Sequence, residues 1–355
     1  MSEPVVQPLG EPLSQPLAEL TTLRLGGPAA RVVTAPDTES LVRLVRAADA
    51  AGEPVLVVGG GSNLVVADEG WPGVVVLVRS SAVEVVEGED QVAVRVDAGV
   101  QWDALVARSV DAGWSGLAAM SGIPGLTGAT PVQNVGAYGS EVADVITGLQ
   151  VLDRHSGSVE DWSPERGGFG FRTSAFKHTD RYVVLSVTFE LRRSPDAPPV
   201  RYLELASRLG VEPGRSARST QVREVVLALR RSKGMVLDAA DPDTWSVGSF
   251  FVNPFVEPDD IPPGCPHWSV DDGTAGQVKL SAAWLIEHAG FGRGFGLDQG
   301  RGAVAVSTKH SLALTNRGDA TTAELLDLAQ VIRDGVERRF GVRLRPEARL
   351  VGVEL

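Results

Sequence analysis

The stretch from Ala112 to Ser140, AGWSGLAAMSGIPGLTGATPVQNVGAYGS, has no charged residue in a chain of which 22% is charged. Gly113, Gly116, Gly122, Gly125, Gly128, Gly136 and Gly139 run through it, with Pro124 and Pro131. Proline removes a backbone donor and breaks a helix, so the segment is neither one long helix nor a membrane span, and Gln133 and Asn134 interrupt its apolar character. It reads as buried irregular backbone. Buried N–H and C=O groups need partners, and glycine lets a partner come close. One such partner is a ligand rich in hydrogen-bond acceptors; the other reading is a glycine-rich core connection with no ligand.

The rest of the composition narrows the class. With 355 residues, 43% of them hydrophobic, the chain is long enough for two domains with separate cores. A net charge of -12 argues against nucleic acid and anionic membranes as partners, so an anionic ligand needs a local basic pocket. Cys265 is the one cysteine and the five histidines are scattered, which excludes an intrachain disulfide and leaves no metal-ligand spacing. A reducing compartment fits. The start, MSEPVVQPLGEPLSQPLAEL, has proline at 4, 8, 12 and 16, with no basic start and no signal-length apolar run. It reads as a flexible arm over residues 1–20. No stretch has the length of a transmembrane helix, so a cytoplasmic protein with no membrane insertion is expected.

Along the chain, ARVVTA reads as a strand, and Thr38 is placed as the N-cap of the amphipathic run ESLVRLVRAADAAG, which Gly52 stops. PVLVV is a buried strand running into Gly59, Gly60, Gly61, Ser62 and Asn63. The residues after Asn63 read as strand, turn and strand, not as a helix, so the loop departs from Rossmann and Walker arrangements. Its own N–H groups, with the Ser62 hydroxyl and the Asn63 amide, could form an anion nest. A tight turn with no ligand explains the same glycines. AVEVVEG and QVAVRVDAG continue as strands, and a helix spans 101–111. GLQVLDRHSGSVEDW reads as a hairpin, RYVVLSVTFELRR as a strand, and the Pro-rich RRSPDAPPV as a boundary. The second half carries helical patterns in TQVREVVLALRRSKG, VKLSAAWLIEHAG and 321–340, two short strands, and the closing strand GVRLRPEARLVGVEL. The fold class is α+β.

GGGSN, IPGLTGATPVQNVGAYGSEV, FGFRTSAFKH, GSFFVNP, KLSAAWLI and RPEARLVG, in this order, make the chain resemble the UDP-N-acetylenolpyruvoylglucosamine reductases (UDP-N-acetylmuramate dehydrogenases) from about Thr21 to the C-terminus. That resemblance implies an FAD-binding domain of the p-cresol methylhydroxylase type over 21–195, a smaller α+β substrate-binding domain over 196–340, and a C-terminal strand, 341–355, that returns to the active site. FAD would lie against the Gly59 to Asn63 loop and against Ser121, Gly122, Ile123, Pro124, Gly125, Gly128, Gln133, Asn134, Gly136, Ala137 and Tyr138. No His or Cys stands near the loop, so the flavin would be non-covalent. The implied reaction passes a hydride from NADPH to the flavin and from flavin N5 to C3 of UDP-N-acetylglucosamine enolpyruvate, for peptidoglycan precursor synthesis. A monomer is expected.

Hydride arrival at C3 leaves electron density at C2 and on the neighbouring carboxylate. Fixed positive or hydrogen-bonding groups beside that carboxylate stabilise it. By the resemblance Arg172 is the active-site arginine, and its planar fork suits a carboxylate. Ser249, in GSFFVNP, is the general acid that protonates C2. Glu347 is the late glutamate; in a strand, Glu347 and Arg349 at i and i+2 share a face, so both could reach the site. A carboxylate beside a developing enolate repels it unless protonated, so Glu347 is expected to have a raised pKa. For the UDP moiety the resemblance implies Lys233, Lys279 and Asn253, with Tyr202 as the lid tyrosine of the type I subgroup. One position departs: Phe171 precedes Arg172 where the family often has tyrosine. Two other readings are a flavin oxidase or dehydrogenase of the same domain type, in which GSFFVNP and RPEARLVG have no role, and a nucleotide-sugar-binding regulator without catalysis.

Overall fold

The computed structural model describes residues 15–269 and 276–355. Residues 1–14 of the expected arm lie outside the described residues; its end does not behave as an arm, because Leu17–Leu20 forms a 3-10 turn whose Leu17 is 1% exposed.

Two sheets build the first half. The parallel one has the order Ala29–Ala35, Trp71–Val78, Val55–Val58, and the helix Thr38–Ala50 packs against it through Leu41, Val45 and Ala48. Its N-cap is Asp37, not Thr38: the Asp37 carboxylate accepts from Ser40 N at 2.7 Å, and a carboxylate suits a helix start better than a hydroxyl. The second sheet is antiparallel, in the order Val159–Trp162, Ile146–Asp153, Tyr182–Arg193, Gln91–Asp97, Val83–Glu87. Alternation sets its core face, with Val92, Val94 and Val96 fully buried against Trp102 and Phe189.

The uncharged stretch is broken into 3-10 turns at Ala118–Met120, Thr127–Ala129 and Pro131–Gln133. Much of its backbone is satisfied by protein: Thr127 N donates to Val100 O at 2.8 Å and Gly128 N to Ala98 O at 3.0 Å.

The second half divides between two cores. The helices Leu203–Leu209 and Ser219–Ser232 pack with Val110 and Ala118 of the first half. Residues 247–348 form another core that includes Leu23, Leu25 and Val65. Here VKLSAAWLIEHAG splits into the strand Val278–Leu280 and the helix Ala282–His288, because the strand pairs with both Phe255–Val256 and His267–Ser269. The closing strand shrinks to Arg349–Val351, which lies parallel to Leu64–Val66. No helix among the described residues is long and apolar enough to cross a membrane.

The halves also share a helix start. Thr321 caps Thr322–Phe340 in a reciprocal box with Glu324. Asp68, from the first half, accepts from Thr322 N at 2.8 Å and Ala323 N at 2.9 Å, so three of the helix's orphan donors are satisfied. Asp68→Ala is expected to lower the unfolding free energy in urea by about 1–2 kcal/mol, and Asp68→Asn by less. An alanine variant as stable as the parent would mean that Thr321 suffices alone.

Candidate active site

Two cavities meet beneath the last strand. The smaller, about 320 Å³, is lined by Gly59, Gly60, Gly61 and Ser62 on one side, by Ile123, Pro124, Gly125 and Gly136 on another, and by Ser249. The larger cleft, about 1130 Å³, runs past Phe171, Asn253 and the C-terminal residues. Arg172, Glu347, Gln133, Asn63 and Arg349 line both.

Arg172 owes its direction to a tight turn. Gly170 and Thr173 exchange backbone hydrogen bonds at 3.1 and 3.2 Å, and Arg172 between them has φ 54°, a left-handed conformation rare for a residue with a Cβ. Its Nη2 donates to Gly136 O at 2.6 Å, and its Nε lies 3.3 Å from Glu347 Oε1. Two guanidinium edges are thus held by the uncharged stretch and by the tail. Glu347 is placed by its backbone, since its N–H donates to Phe250 O at 2.7 Å, next to Ser249. Gln133 Nε2 donates to Glu347 Oε1 at 3.3 Å, and Asn63 Nδ2 to Gln133 Oε1 at 2.9 Å. Arg172 and Glu347 thus lie where the cavities meet, and Ser249, far from both in the chain, lines the smaller cavity with them. The Ser249 hydroxyl makes no hydrogen bond to a described residue.

The Glu347 side chain is 15% exposed. Burial pushes its carboxyl above the ordinary 4.5, while Arg172 and then Lys177 pull it back. Glu347 precedes the strand rather than sharing it with Arg349, so the i, i+2 argument does not apply. Arg349 lines both cavities but pairs with Asp180 at the mouth.

The glycine loop has a structural reason as well as a lining role. A Cβ on Gly60 would stand 2.8 Å from Gly125 Cα, and one on Gly61, at φ 61°, 1.9 Å from Leu20 O. Ser62 Oγ donates to Pro124 O at 3.2 Å and Asn63 braces Gln133, so neither side chain is aimed into an anion nest.

Ser121, Gly122, Gly128, Asn134, Ala137 and Tyr138 line neither cavity. Ser121 Oγ donates to Ala118 O, Gly122 N to Asp103 Oδ1, and Asn134 Nδ2 to Glu141 Oε2, so these residues support the walls. Burial raises the Tyr138 phenol to about 12, and its ring meets Tyr202 edge-on at 5.4 Å. Lys233 and Lys279 also lie outside the linings. Lys233 pairs with Glu204 at 2.7 Å, and Lys279 Nζ stands 4.1 Å above the Phe171 ring, a cation–π contact inside the cleft wall. Asn253 accepts from Ala282 N at 3.0 Å, starting the helix beside the cleft.

The sequence reasoning missed Arg230. It lines the smaller cavity, and its Nε is buried with no partner among the described residues. Its signal was present: Val222, Val226 and Arg230 recur at i, i+4 and i+8 on the buried face of their helix. An unpartnered buried guanidinium nitrogen facing a groove walled by Ile123, Pro124, Val132 and Val135 fits a planar apolar guest that carries acceptor or anionic groups.

The raised Glu347 carboxyl gives a signed prediction. The folded protein holds that proton at pH values where the unfolded chain has released it, so this contribution to stability is present at low pH and is lost as pH rises from 4.5 through the folded value. In urea unfolding from about pH 4 to 8, the wild type should lose stability relative to Glu347→Gln as pH rises. Parallel curves would show that Glu347 titrates as it does in the unfolded chain.

Residues 241–351 match the family described as UDP-N-acetylenolpyruvoylglucosamine reductase, C-terminal domain, and residues 29–163 match the FAD binding domain family. The chain is 52% identical to the UDP-N-acetylenolpyruvoylglucosamine reductase of Thermobifida fusca, over 95% of this chain and 97% of that one. Against that of Salinispora arenicola it is 54% identical, over 94% of each. A crystal structure of the enzyme of that name from Thermus caldophilus superposes with a TM-score of 0.67 at 26% identity, covering 96% of this chain and 99% of that one. With an FAD-binding domain of the p-cresol methylhydroxylase type, this C-terminal domain and relatives more than half identical over nearly the whole chain, the chain belongs to the UDP-N-acetylenolpyruvoylglucosamine reductase family of flavin oxidoreductases.

Proposed function

We propose that the protein reduces UDP-N-acetylglucosamine enolpyruvate to UDP-N-acetylmuramate with NADPH, in the cytoplasm and as a monomer, supplying a peptidoglycan precursor. The observation that carries this reading is the 3.3 Å approach of Arg172 to a buried Glu347 where the two cavities join. The Gly59–Gly61 backbone, the Ile123 to Gly136 wall and Arg230 would hold FAD, which when bound would supply the two-electron chemistry linking NADPH oxidation to reduction of the enolpyruvyl double bond at C3.

The chain's own residues then manage charge and proton. Arg172 presents a guanidinium to the substrate carboxylate, preorganised because its Nη2 is already anchored on Gly136 O. Glu347, whose carboxyl burial pushes above its ordinary range, in its protonated form donates a hydrogen bond to the same developing charge. Ser249, which lines the smaller cavity with a hydroxyl that no described residue engages, delivers its proton to C2 and is reprotonated from water. The Phe171 ring beneath Lys279 leaves no hydroxyl at that position, so any contact made there with substrate is apolar or cation–π.

The UDP moiety is assigned to the region of Asn253, Lys233 and Lys279. Close to Lys233, the His310 imidazole is held down to about 4, first by burial and then by the charges of Lys233 and Arg293. Tyr202, 44% exposed and packed on Tyr138, is assigned as the lid tyrosine of the type I subgroup.

Stopped-flow flavin absorbance tests the reading by separating the half-reactions. Ser249→Ala should leave reduction by NADPH intact and slow reoxidation by the enolpyruvyl substrate about a hundredfold or more. Glu347→Gln should slow the same step. A wild-type protein that binds no FAD, or whose flavin is not reoxidised by this substrate, would overturn the proposal.

A further inference from the structure

Arg172 occupies a strained position, and something must hold it there. A left-handed conformation at a residue with a Cβ is strained, and it persists only when the surroundings over-determine it. Three attachments surround the turn. Phe176 is 3% exposed and stacks on Trp162 at 5.1 Å; Ser174 Oγ donates to Val132 O at 2.7 Å; and Lys177 folds back so that its Nζ donates to Arg172 O at 2.8 Å. The third attachment differs from the others because it brings a charge. Lys177 is partly buried, lines the larger cleft, and acts on Glu347 as a second positive group after Arg172.

We propose that Lys177 is a positioning residue of the reaction: its ammonium clamps the Arg172 carbonyl, fixing the guanidinium at the cavity junction, and supplies a second positive charge to the cleft that Glu347 lines. This rests on the function proposed above. The charged groups acting on Glu347 are Arg172 and Lys177, and burial opposes both. A lone guanidinium would leave Glu347 with a tighter proton; the pair keeps its proton exchangeable while Arg172 stays aimed. Lys177 itself loses some hold on its proton through burial, which Glu347 partly restores. The two groups are therefore mutually dependent, and a lysine that served only to close a turn would not affect Glu347.

The test uses the full-length protein with 13C-labelled glutamate side chains, the Glu347 resonance being assigned by its loss in Glu347→Gln. In Lys177→Met the Glu347 titration midpoint should rise by roughly half a unit or more; in Lys177→Arg, which keeps the charge, it should stay near the wild-type position. With FAD bound, reoxidation by UDP-N-acetylglucosamine enolpyruvate should slow about tenfold in Lys177→Met, while reduction by NADPH holds, and the Glu347 limb of its pH profile should move upward by the same amount as the resonance. Should Lys177→Met fail to fold, Lys177→Gln, which keeps a donor and removes the charge, is read the same way. Coincident titrations in all variants, or a pH profile scaled without displacement, would overturn the role of Lys177. A wild-type flavin that the substrate does not reoxidise would instead overturn the proposed function, and the resonance titration would still decide the Lys177 to Glu347 link.

Discussion

Three residues at the end of the chain, Arg349–Val351, lie parallel along Leu64–Val66, and the placement of the tail depends on this pairing. It begins with Arg349 N donating to Asn63 O at 2.9 Å, which fixes the register by one residue. In a strand a slip of one residue reverses every side chain, so this register fixes where the tail enters the pairing, immediately after Glu347. From Glu347 the constraint spreads outward, through its N–H to the Phe250 carbonyl beside Ser249 and through its carboxylate to Gln133 and Arg172. The glycine loop, the uncharged stretch and the tail are thereby parts of one hydrogen-bonded frame.

How much of this was legible depended on range. The uncharged stretch announced buried irregular backbone because its glycines, prolines and missing charges are local facts, and it is found as consecutive 3-10 turns. The order of strands around the glycine loop was readable for the same reason. The partners of single polar side chains were not. Asn63 looked like part of an anion nest beside three glycines, yet its amide is spent on Gln133 and approaches the carbonyl of Glu347, 284 positions away. Likewise Asp37 displaced Thr38 as a cap by a choice between adjacent residues, which spacing alone does not settle.

Arg230 and Lys177 illustrate a different blindness. Arg230 stands in a segment rich in cations and Lys177 within the motif FGFRTSAFKH, and the spacing of charges singles out neither. Arg230 shares a helix face with Val222 and Val226, and burial leaves its Nε without a partner among the described residues. Lys177 comes directly after Phe176, and anchoring that ring against Trp162 turns the lysine back over Arg172. In each case a hydrophobic neighbour determined where the charge went, so apolar periodicity was the better guide to a functional cation than charge itself.

The core of residues 247–348 takes in Leu23, Leu25 and Val65 from the opposite end of the chain, and its longest helix is capped by Asp68. The boundary visible in the amino-acid pattern is consequently not a seam along which the molecule comes apart. A polypeptide beginning near residue 241 would carry a gap where two leucines belong and a helix start with donors exposed to water. Ribosomal synthesis delivers Leu23 and Asp68 long before the surfaces they complete. The core of residues 247–348 is therefore completed by side chains from far earlier in the chain, and the segment that carries Glu347 reaches Arg172 across the same shared surface.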